Sequence, residues 1–299
     1  MEPVRIRYTA CPLCGSRNFQ KAFDAIDYTV SGESFELDDC PQCTLRFTQG
    51  IPDVLSIQDY YRSENYISHT DTREGLINRL YHLARKRTLG NKRRLLQRIT
   101  GLEKGALLDV GAGSGAFVHH MQQAGWQVMG LEPDEQARGK AKGINQVDLL
   151  PMDYLNKLSE NTFDAITLWH VLEHVHDLHG YIKQLAKLLN PGGSLFIAVP
   201  NYTSYDASLF RQYWAAYDVP RHLYHFSPAS MRKLMELHHL KLVSKIPMWF
   251  DSFYISLLSG KYKTGKENKF AGFVQGAISN MKALFNNEKC SSLIYIIKK

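Results

Sequence analysis

Leu107-Leu108-Asp109-Val110-Gly111-Ala112-Gly113-Ser114-Gly115-Ala116-Phe117 decides how the rest of this 299-residue chain is read. An apolar strand ends in an acid and crosses a glycine-rich turn into a helix. Gly111, Gly113 and Gly115 remove side chains where the backbone must bend sharply and approach a ligand closely. The helix that follows offers unpaired N–H groups at its start. Gly111-x-Gly113-x-x-Ala116 also satisfies the loose dinucleotide fingerprint. Asp109 argues against that ligand, because a carboxylate just before the first glycine repels a pyrophosphate. It suits an amino group or a sulfonium-bearing ligand.

The next strand, Gln127-Val128-Met129-Gly130-Leu131, ends in Glu132-Pro133. An acid about twenty residues past the loop is placed to accept hydrogen bonds from both hydroxyls of a ribose. Met152-Asp153-Tyr154 comes next, then Thr162-Phe163-Asp164-Ala165-Ile166-Thr167-Leu168-Trp169-His170-Val171-Leu172-Glu173-His174. Asn190-Pro191-Gly192-Gly193-Ser194-Leu195-Phe196-Ile197-Ala198-Val199-Pro200 closes the series. In order and spacing, from Leu107 to Pro200, these motifs resemble the class I S-adenosylmethionine (SAM)-dependent methyltransferases. The resemblance implies SAM as cofactor. The backbone at Gly111, Ala112, Gly113 and Gly115 would pass beneath its methionine portion, with Asp109 on the ammonium and Glu132-Pro133 at the ribose. It further implies Asp153 on the adenine amino group, the Tyr154 amide at a ring nitrogen, and Trp169 and His170 facing the transferred methyl. Asp153 also reads as a helix N-cap. In the family, the segment before the first strand folds over the cofactor, which would bring Tyr66 and His69 above the site. Tyrosines packed between domains account for the same composition.

Four of the five cysteines form two tight pairs, Cys11-Pro12-Leu13-Cys14 and Cys40-Pro41-Gln42-Cys43. Two such turns can aim four thiolates at one tetrahedral metal. Gly15 permits a left-handed turn after the first pair, whereas Thr44 predicts a less regular second turn. Strand-like pieces, Asn18 to Phe23 and Ser34 to Leu37, flank a Ser31-Gly32 turn. The segment looks like a zinc ribbon; a single iron fits the same ligands, and disulfides are disfavoured in a reducing compartment. So small a segment needs the metal to fold, since binding of order ~10 kcal/mol supplies what its core lacks. Cys290 stands alone and reads as a small core residue.

The net charge is +7. Between Asn78 and Thr100 lie Arg79, Arg85, Lys86, Arg87, Lys92, Arg93, Arg94 and Arg98, with no acid. That run suits a patch for nucleic acid, an anionic membrane or a phosphorylated substrate. It equally suits a solvated helix face whose Leu80, Leu83, Leu95, Leu96 and Ile99 pack inward. No apolar stretch is long enough for a transmembrane helix, so stable membrane insertion is not expected. The N-terminus lacks the apolar core of a secretory signal, and the expected location is the cytoplasm.

Three regions follow. Residues 1–50 form the metal module, 51–100 a helical connector that caps the cofactor, and 101–299 the methyltransferase domain. From Gly101 the chain alternates strands, near Leu107, Val128, Val147, Ala165 to Leu168 and Leu195 to Val199, with helices near Ala116, Glu135, Leu178 and Ser230. Alternation implies an α/β fold with a parallel Rossmann-like sheet. Lys241 to Ile246 and Ser292 to Ile297 complete seven strands, the last inserting antiparallel as in the family. Residues 247–289 form an insertion with Trp249, Phe250, Phe253 and Tyr254, read as a substrate lid or dimer contact. Nothing in the sequence fixes an oligomeric state.

On the acceptor side, His170, Glu173 and His174 share a face if a helical turn begins there. H-x-x-E-H is alone an inverted zinc-protease signature, but its place after the fourth strand makes hydrolysis a poor fit. In quinone-biosynthesis O-methyltransferases the corresponding positions can bind a divalent metal, although this chain has His170 where those have an acid. A second cluster, Asp218-Val219-Pro220-Arg221-His222-Leu223-Tyr224-His225-Phe226-Ser227-Pro228, is similar to an acceptor-pocket element of many methyltransferases. Asp218, His222 and His225 there suit a general base and its orienting acid, with His222 as the base and His174 and His225 as rivals. Ser227 and Pro228 also cap the next helix. The leading expectation is methylation of a small molecule: a sugar, a nucleotide-linked sugar or a lipid-biosynthesis intermediate. An RNA methyltransferase using the ribbon and basic helix, and a non-catalytic SAM-binding scaffold, are the alternatives.

Overall fold

The computed structural model describes residues 4–61 and 76–299, with side chains along the helix that opens at Leu76 described from Arg87 onward. Tyr66 and His69, expected above the cofactor, lie outside the described residues. A β-rich segment comes first, with β1 (Arg5–Ile6), β2 (Gln20–Ile26), β3 (Ser34–Asp39), β4 (Arg46–Thr48) and β5 (Ile51–Pro52). Helix α1 (Leu76–Thr100) leads into β6 (Ala106–Val110), α2 (Ala116–Gln123), β7 (Gln127–Leu131), α3 (Glu135–Lys140), β8 (Phe163–Trp169), α4 (Leu178–Leu188) and β9 (Leu189–Pro200). The chain ends with α5 (Tyr205–Phe210), β10 (Tyr224–His225), α6 (Pro228–Leu237), β11 (Lys241–Pro247), α7 (Asp251–Thr264), α8 (Lys269–Phe285) and β12 (Ser292–Lys298).

Six strands form a mixed sheet in the order β11-β12-β9-β8-β6-β7. The last strand thus enters between β11 and β9. β6 pairs in parallel with both neighbours, Leu108 opposite Met129 on one side and Ile166 on the other. Its Leu107, Leu108 and Val110 are fully buried, as both-face burial of a parallel strand demands. Seven strands were expected, and the one near Val147 does not form. Gln146 turns left-handed, φ 55°, and Leu150 makes only an isolated bridge to Leu131. Pro151, which has no N–H to offer a ladder, then opens a 3-10 turn at Met152. Val147 and Leu149 instead pack with Val118 and Ala141.

The chain divides into two compact units. One comprises His69–Trp169, Ile182–Ile197 and Ile297–Lys299, and holds the glycine-rich turn. Within it α2 lies so close to β7 that a Cβ on Gly130 would come within 2.9 Å of Val118. The N-terminal half of β8 is tied to β6 by Asp164, whose carboxylate accepts the Ala106 N–H at 2.9 Å.

The other unit comprises Met1–Ser68, His170–Tyr181 and Ala198–Ile296. Its core gathers Phe35, Leu37, Ile57 and Tyr60 with Phe210, Trp214, Tyr217 and Val219. A four-stranded sheet runs β10-β4-β3-β2, so the cysteine-rich segment gains a strand from residue 224, with Tyr224 opposite Phe47. Ser227 caps α6 in a reciprocal box with Ser230, and Pro228 occupies the first turn, as expected. Arg221 is buried; its guanidinium donates to both oxygens of Asp218 at 2.6 and 3.0 Å, to Asp27 at 3.0 Å and to the Tyr60 carbonyl at 2.9 Å. Replacing it by Met takes the cation from buried Asp27 and half-buried Asp218. Arg221→Met is expected to lower unfolding free energy by about 3–5 kcal/mol, measured by urea titration; a loss under ~1 kcal/mol would show the cation to be dispensable.

Candidate functional site

At the end of β6 the Asp109 side chain is fully enclosed, and Thr167 Oγ1 donates to its Oδ1 at 2.6 Å. Burial pushes its carboxyl up to about 6, against the pull of the Thr167 hydroxyl and the charge of Lys92. The turn that follows bends through left-handed Gly111, Gly113 and Gly115. A Cβ on Gly113 would meet nothing within 4 Å, so the loop leaves open space on that side. Gly111 and Ala112 donate their N–H groups to the Leu131 carbonyl at 2.8 and 2.9 Å, which holds the turn against the end of β7. Glu132 is buried there. Its carboxylate accepts the Gly113 N–H at 2.7 Å and the Asp134 N–H at 3.0 Å, and burial raises its pKa. Pro133 follows, its carbonyl accepting from Arg138 at 2.7 Å. This loop, with its buried acids and open side, fits a ligand bearing an ammonium and a diol.

Asp153 and Tyr154 lie exposed in the 3-10 turn Met152–Lys157, which Pro151 and not Asp153 caps. Asp153 pairs with Lys157 at 2.6 Å, and the Tyr154 N–H donates to the Pro151 carbonyl at 3.1 Å. Trp169 closes β8 edge-on to Phe117, with ring centroids 5.6 Å apart. Its indole N–H is buried without a hydrogen-bond partner among the described residues, and Lys92 Nζ stands 4.0 Å from its ring centre. Of the basic run, Lys92 therefore turns inward over an aromatic ring, Leu95 and Leu96 are buried, and Arg94 and Arg98 face solvent.

In the other unit His170 takes a left-handed backbone, φ 58°, and its ring sits between two acids, 3.1 Å from Asp251 and 3.3 Å from Glu173. Burial works to lower its pKa, but the two carboxylates outweigh it and lift the ring to about 10. Glu173, His174 and His222 bring ligand atoms within 4.8 Å of one another. Glu173 is wholly buried, and neither carboxylate oxygen has a well-formed hydrogen bond. His174 Nδ1 lies 2.9 Å from the Arg221 carbonyl and His222 Nδ1 lies 2.8 Å from the Ala216 carbonyl. A carbonyl only accepts, so His222 carries its proton on Nδ1 and presents a lone pair on Nε2, whereas His174 Nδ1 also stands 2.9 Å from the Tyr61 hydroxyl, which can donate to it. Burial lowers His174 to about 4, so it is neutral at pH 7.

Asp218 and His225 are placed differently from a base and its orienting acid. Both Asp218 oxygens take the Arg221 guanidinium, which holds the carboxyl down despite burial, and His222 Nε2 is 3.9 Å away. The Ala216 carbonyl orients His222 in its stead. His225 Nε2 lies 3.1 Å from Thr48 Oγ1, and burial holds the ring well below its usual pKa. Because the Thr48 hydroxyl donates to the His222 carbonyl at 2.8 Å, it accepts from His225. His225 thus joins β10 to β4 and does not meet the other histidines through a hydrogen bond.

The four paired cysteines are free thiols whose sulfurs all lie within 4.8 Å of one another, Cys11 to Cys43 at 3.5 Å and Cys14 to Cys40 at 3.6 Å. A tetrahedron of sulfurs about 2.3 Å from a central ion has edges of about 3.8 Å, so the set fits one metal and no disulfide. The Cys43 thiol and the N–H groups of Leu13 and Cys14 outweigh burial and bring Cys11 to about 5. Thr44, expected to loosen the second turn, adopts the left-handed conformation of Gly15, φ 58° against 73°. Its hydroxyl bonds Ser227 Oγ at 2.7 Å, and both turns close alike, Gly15 N–H on Cys11 and Thr44 N–H on Cys40.

Residues 81–245, more than half of the chain, match the family model described as a methyltransferase domain. The chain belongs to that family. Ubiquinone biosynthesis O-methyltransferase of Rhizobium etli (strain CIAT 652) is 32% identical over 114 residues, which cover 36% of this chain and 46% of that one. The mitochondrial enzyme of that name from Homo sapiens is 26% identical over 163 residues, 49% of this chain and 44% of its own. The chain thus spans under half the length of these curated relatives. Among solved structures, magnesium protoporphyrin IX methyltransferase from Synechocystis PCC 6803, with bound SAH, superposes with a TM-score of 0.53 at 16% identity, over 83% of this chain and all of that one. That likeness establishes the methyltransferase fold.

Thr167, Arg221 and Asp251 escaped the reading of this methyltransferase domain from sequence. Thr167 had a usable signal, since the parallel register puts it directly opposite Asp109; Asp251 had none, lying 81 residues from the ring it meets. The Asp109 burial has a measurable consequence. The unfolded carboxyl titrates near 3.8 and the folded one near 6, so ionisation opposes folding above pH 6 and has no effect below both values. Asp109→Asn is expected to stabilise the ligand-free protein by about 3 kcal/mol at pH 8 and by nothing at pH 3. Urea titrations at several pH values test this, and a pH-independent difference would overturn it.

Proposed function

We propose that this chain is a SAM-dependent methyltransferase acting on a small-molecule acceptor. The observation that supports it most is the enclosed, cation-seeking Asp109 beside a left-handed glycine turn whose N–H group rests on Glu132. SAM supplies an electrophilic methyl on a sulfonium when bound. Asp109 holds the ammonium, and its desolvated charge gains what burial cost it. Glu132 exchanges backbone N–H donors for ribose hydroxyls. Asp153 takes the adenine amino group in exchange for Lys157, the Tyr154 N–H takes the ring nitrogen in exchange for the Pro151 carbonyl, and Trp169 excludes water beside the sulfonium. His222, with a lone pair on Nε2 and its tautomer held by Ala216, accepts the acceptor's proton, with His174 as its neutral neighbour. The names of the curated relatives favour oxygen as the atom methylated, within a sugar, nucleotide-linked sugar or lipid-biosynthesis intermediate.

Purified protein is expected to take up SAM and SAH in calorimetry. A label-transfer assay against fractionated cell extract is expected to mark the small-molecule or lipid fraction; label in RNA would establish the alternative. Glu132→Ala is expected to weaken SAM by roughly ten- to a hundredfold. His222→Ala is expected to cut turnover by about 10² or more at nearly unchanged SAM affinity; full turnover would remove it from the role of base.

The Cys11, Cys14, Cys40 and Cys43 set is proposed to hold structural zinc, with the strand register of β4 depending on it. Metal analysis is expected to give one zinc per chain, lost in Cys40→Ser together with the cooperative unfolding transition. A second reading of the Glu173, His174 and His222 cluster is a divalent-ion site, favoured by a buried carboxylate and two imidazoles whose ligand atoms lie within 4.8 Å of one another. Two metal equivalents, one of them lost in Glu173→Gln, would establish that reading over the base.

A further inference from the structure

The hairpin of α7 and α8 inverts the usual polarity of a surface helix. The buried face of α8 is made of small residues, Gly272 and Gly276 against α7, Ser279 bonded to Asp206 of α5, and Ala283. The packing requires them, because a Cβ on Gly272 or Gly276 would come 2.8 Å from the Cα of Leu257 or Phe253. The opposite face carries the bulk. Phe270, Phe273, Met281, Leu284 and Phe285 are 54–92% exposed, and at 3.6 residues per turn they fall on one stripe with Val274 and Ala277. Only Phe273 has a described ring partner, stacked on Phe253 at 5.2 Å. So continuous an apolar face is a binding surface and not ordinary surface scatter.

Charge selects its occupant. From Trp249 to Phe285 five lysines, 261, 263, 266, 269 and 282, oppose two acids, Asp251 and Glu267. Asp251 is engaged by His170, and all five lysines are exposed. Lys269 and Lys282 fall on opposite flanks of the apolar stripe. A second copy of the chain would set two such positive faces against each other. Among the described residues no helix is long and apolar enough to cross a membrane. We propose that α8 lies in the surface of an anionic lipid bilayer, its aromatic face among the acyl chains and its flanking lysines on the phosphates. The proposal stands apart from methyl transfer.

The full-length protein is tested by sedimentation with vesicles of phosphatidylglycerol and phosphatidylcholine in equal parts, and with phosphatidylcholine alone. Binding is expected to the anionic vesicles, and to weaken in high salt. The Phe270→Ser/Phe285→Ser double variant, which removes no described packing contact, is expected to lose roughly tenfold or more in partition. Its circular dichroism and SAM uptake are expected to match the parent. Lys269→Glu/Lys282→Glu is expected to abolish the preference for anionic lipid. The proposal is overturned by a parent that ignores both vesicles, or by binding indifferent to the aromatic substitutions. A stable dimer that the double variant dissolves would likewise overturn it and identify a second copy as the occupant.

Discussion

The guanidinium of Arg221 has no exposed side-chain surface, and an enclosed cation persists only where anions and carbonyls replace its water. Meeting that demand organises much of its unit. Asp27, which receives one arm, is also the acceptor for the N–H groups of Thr29, Val30 and Ser31, so the turn between β2 and β3 closes around the same charge. Asp218 is drawn into a left-handed backbone, φ 37°, to meet the fork with both oxygens. The next residue but three, His222, inherits its position from that turn. The Arg221 carbonyl then meets Nδ1 of His174 at 2.9 Å, beside the Tyr61 hydroxyl at the same distance. One desolvated charge thereby reaches the cysteine-rich segment, the loop at residues 218–222 and the His174 ring.

Asp109 and Asp218 are buried acids treated in opposite ways. Asp218 has its cation within the chain and stays ionised. Asp109 receives a hydroxyl bond and the more distant charge of Lys92, and burial still penalises its own charge. Paired burial builds structure, whereas unpaired burial stores a preference for a ligand, at the expense of resting stability. The same contrast separates Arg221 from the lysines of the α7–α8 hairpin, which are exposed to water, Lys269 with Glu267 at 3.7 Å.

What could be read from the chain alone was whatever is local. The strand, glycine turn and helix from Leu107 to Phe117 declare themselves by period and by punctuation, and so do Glu132 at the next strand end and the two cysteine turns. The capping of α6 by Ser227 was equally plain, because a cap is a contact over three residues. Long-range pairings were not. Asp218 looked like the partner of His222 because the two are close in sequence, but Arg221 lies closer and binds harder. His225 has the right chemistry for a base, yet a ladder with β4 and the Thr48 hydroxyl claim it. Val147 looks like strand by composition, and Pro151 ends its chance of a ladder. Thr44 lacks the freedom of glycine, and a hydroxyl contact 183 residues away compensates.

The two residue pairs joining β10 to β4 make the ribbon and the histidine loop a single heritable piece. Thr48 grips the His222 carbonyl, Asp27 neutralises Arg221, and Thr44 meets the cap of α6, so stretches far apart in the gene are interlocked in space. Recombination that swapped in another cysteine-rich head while leaving residues 218–228 behind would orphan a cation, a strand edge and a helix cap at once. Shuffling of such proteins is therefore confined to exchanges in which both pieces travel together.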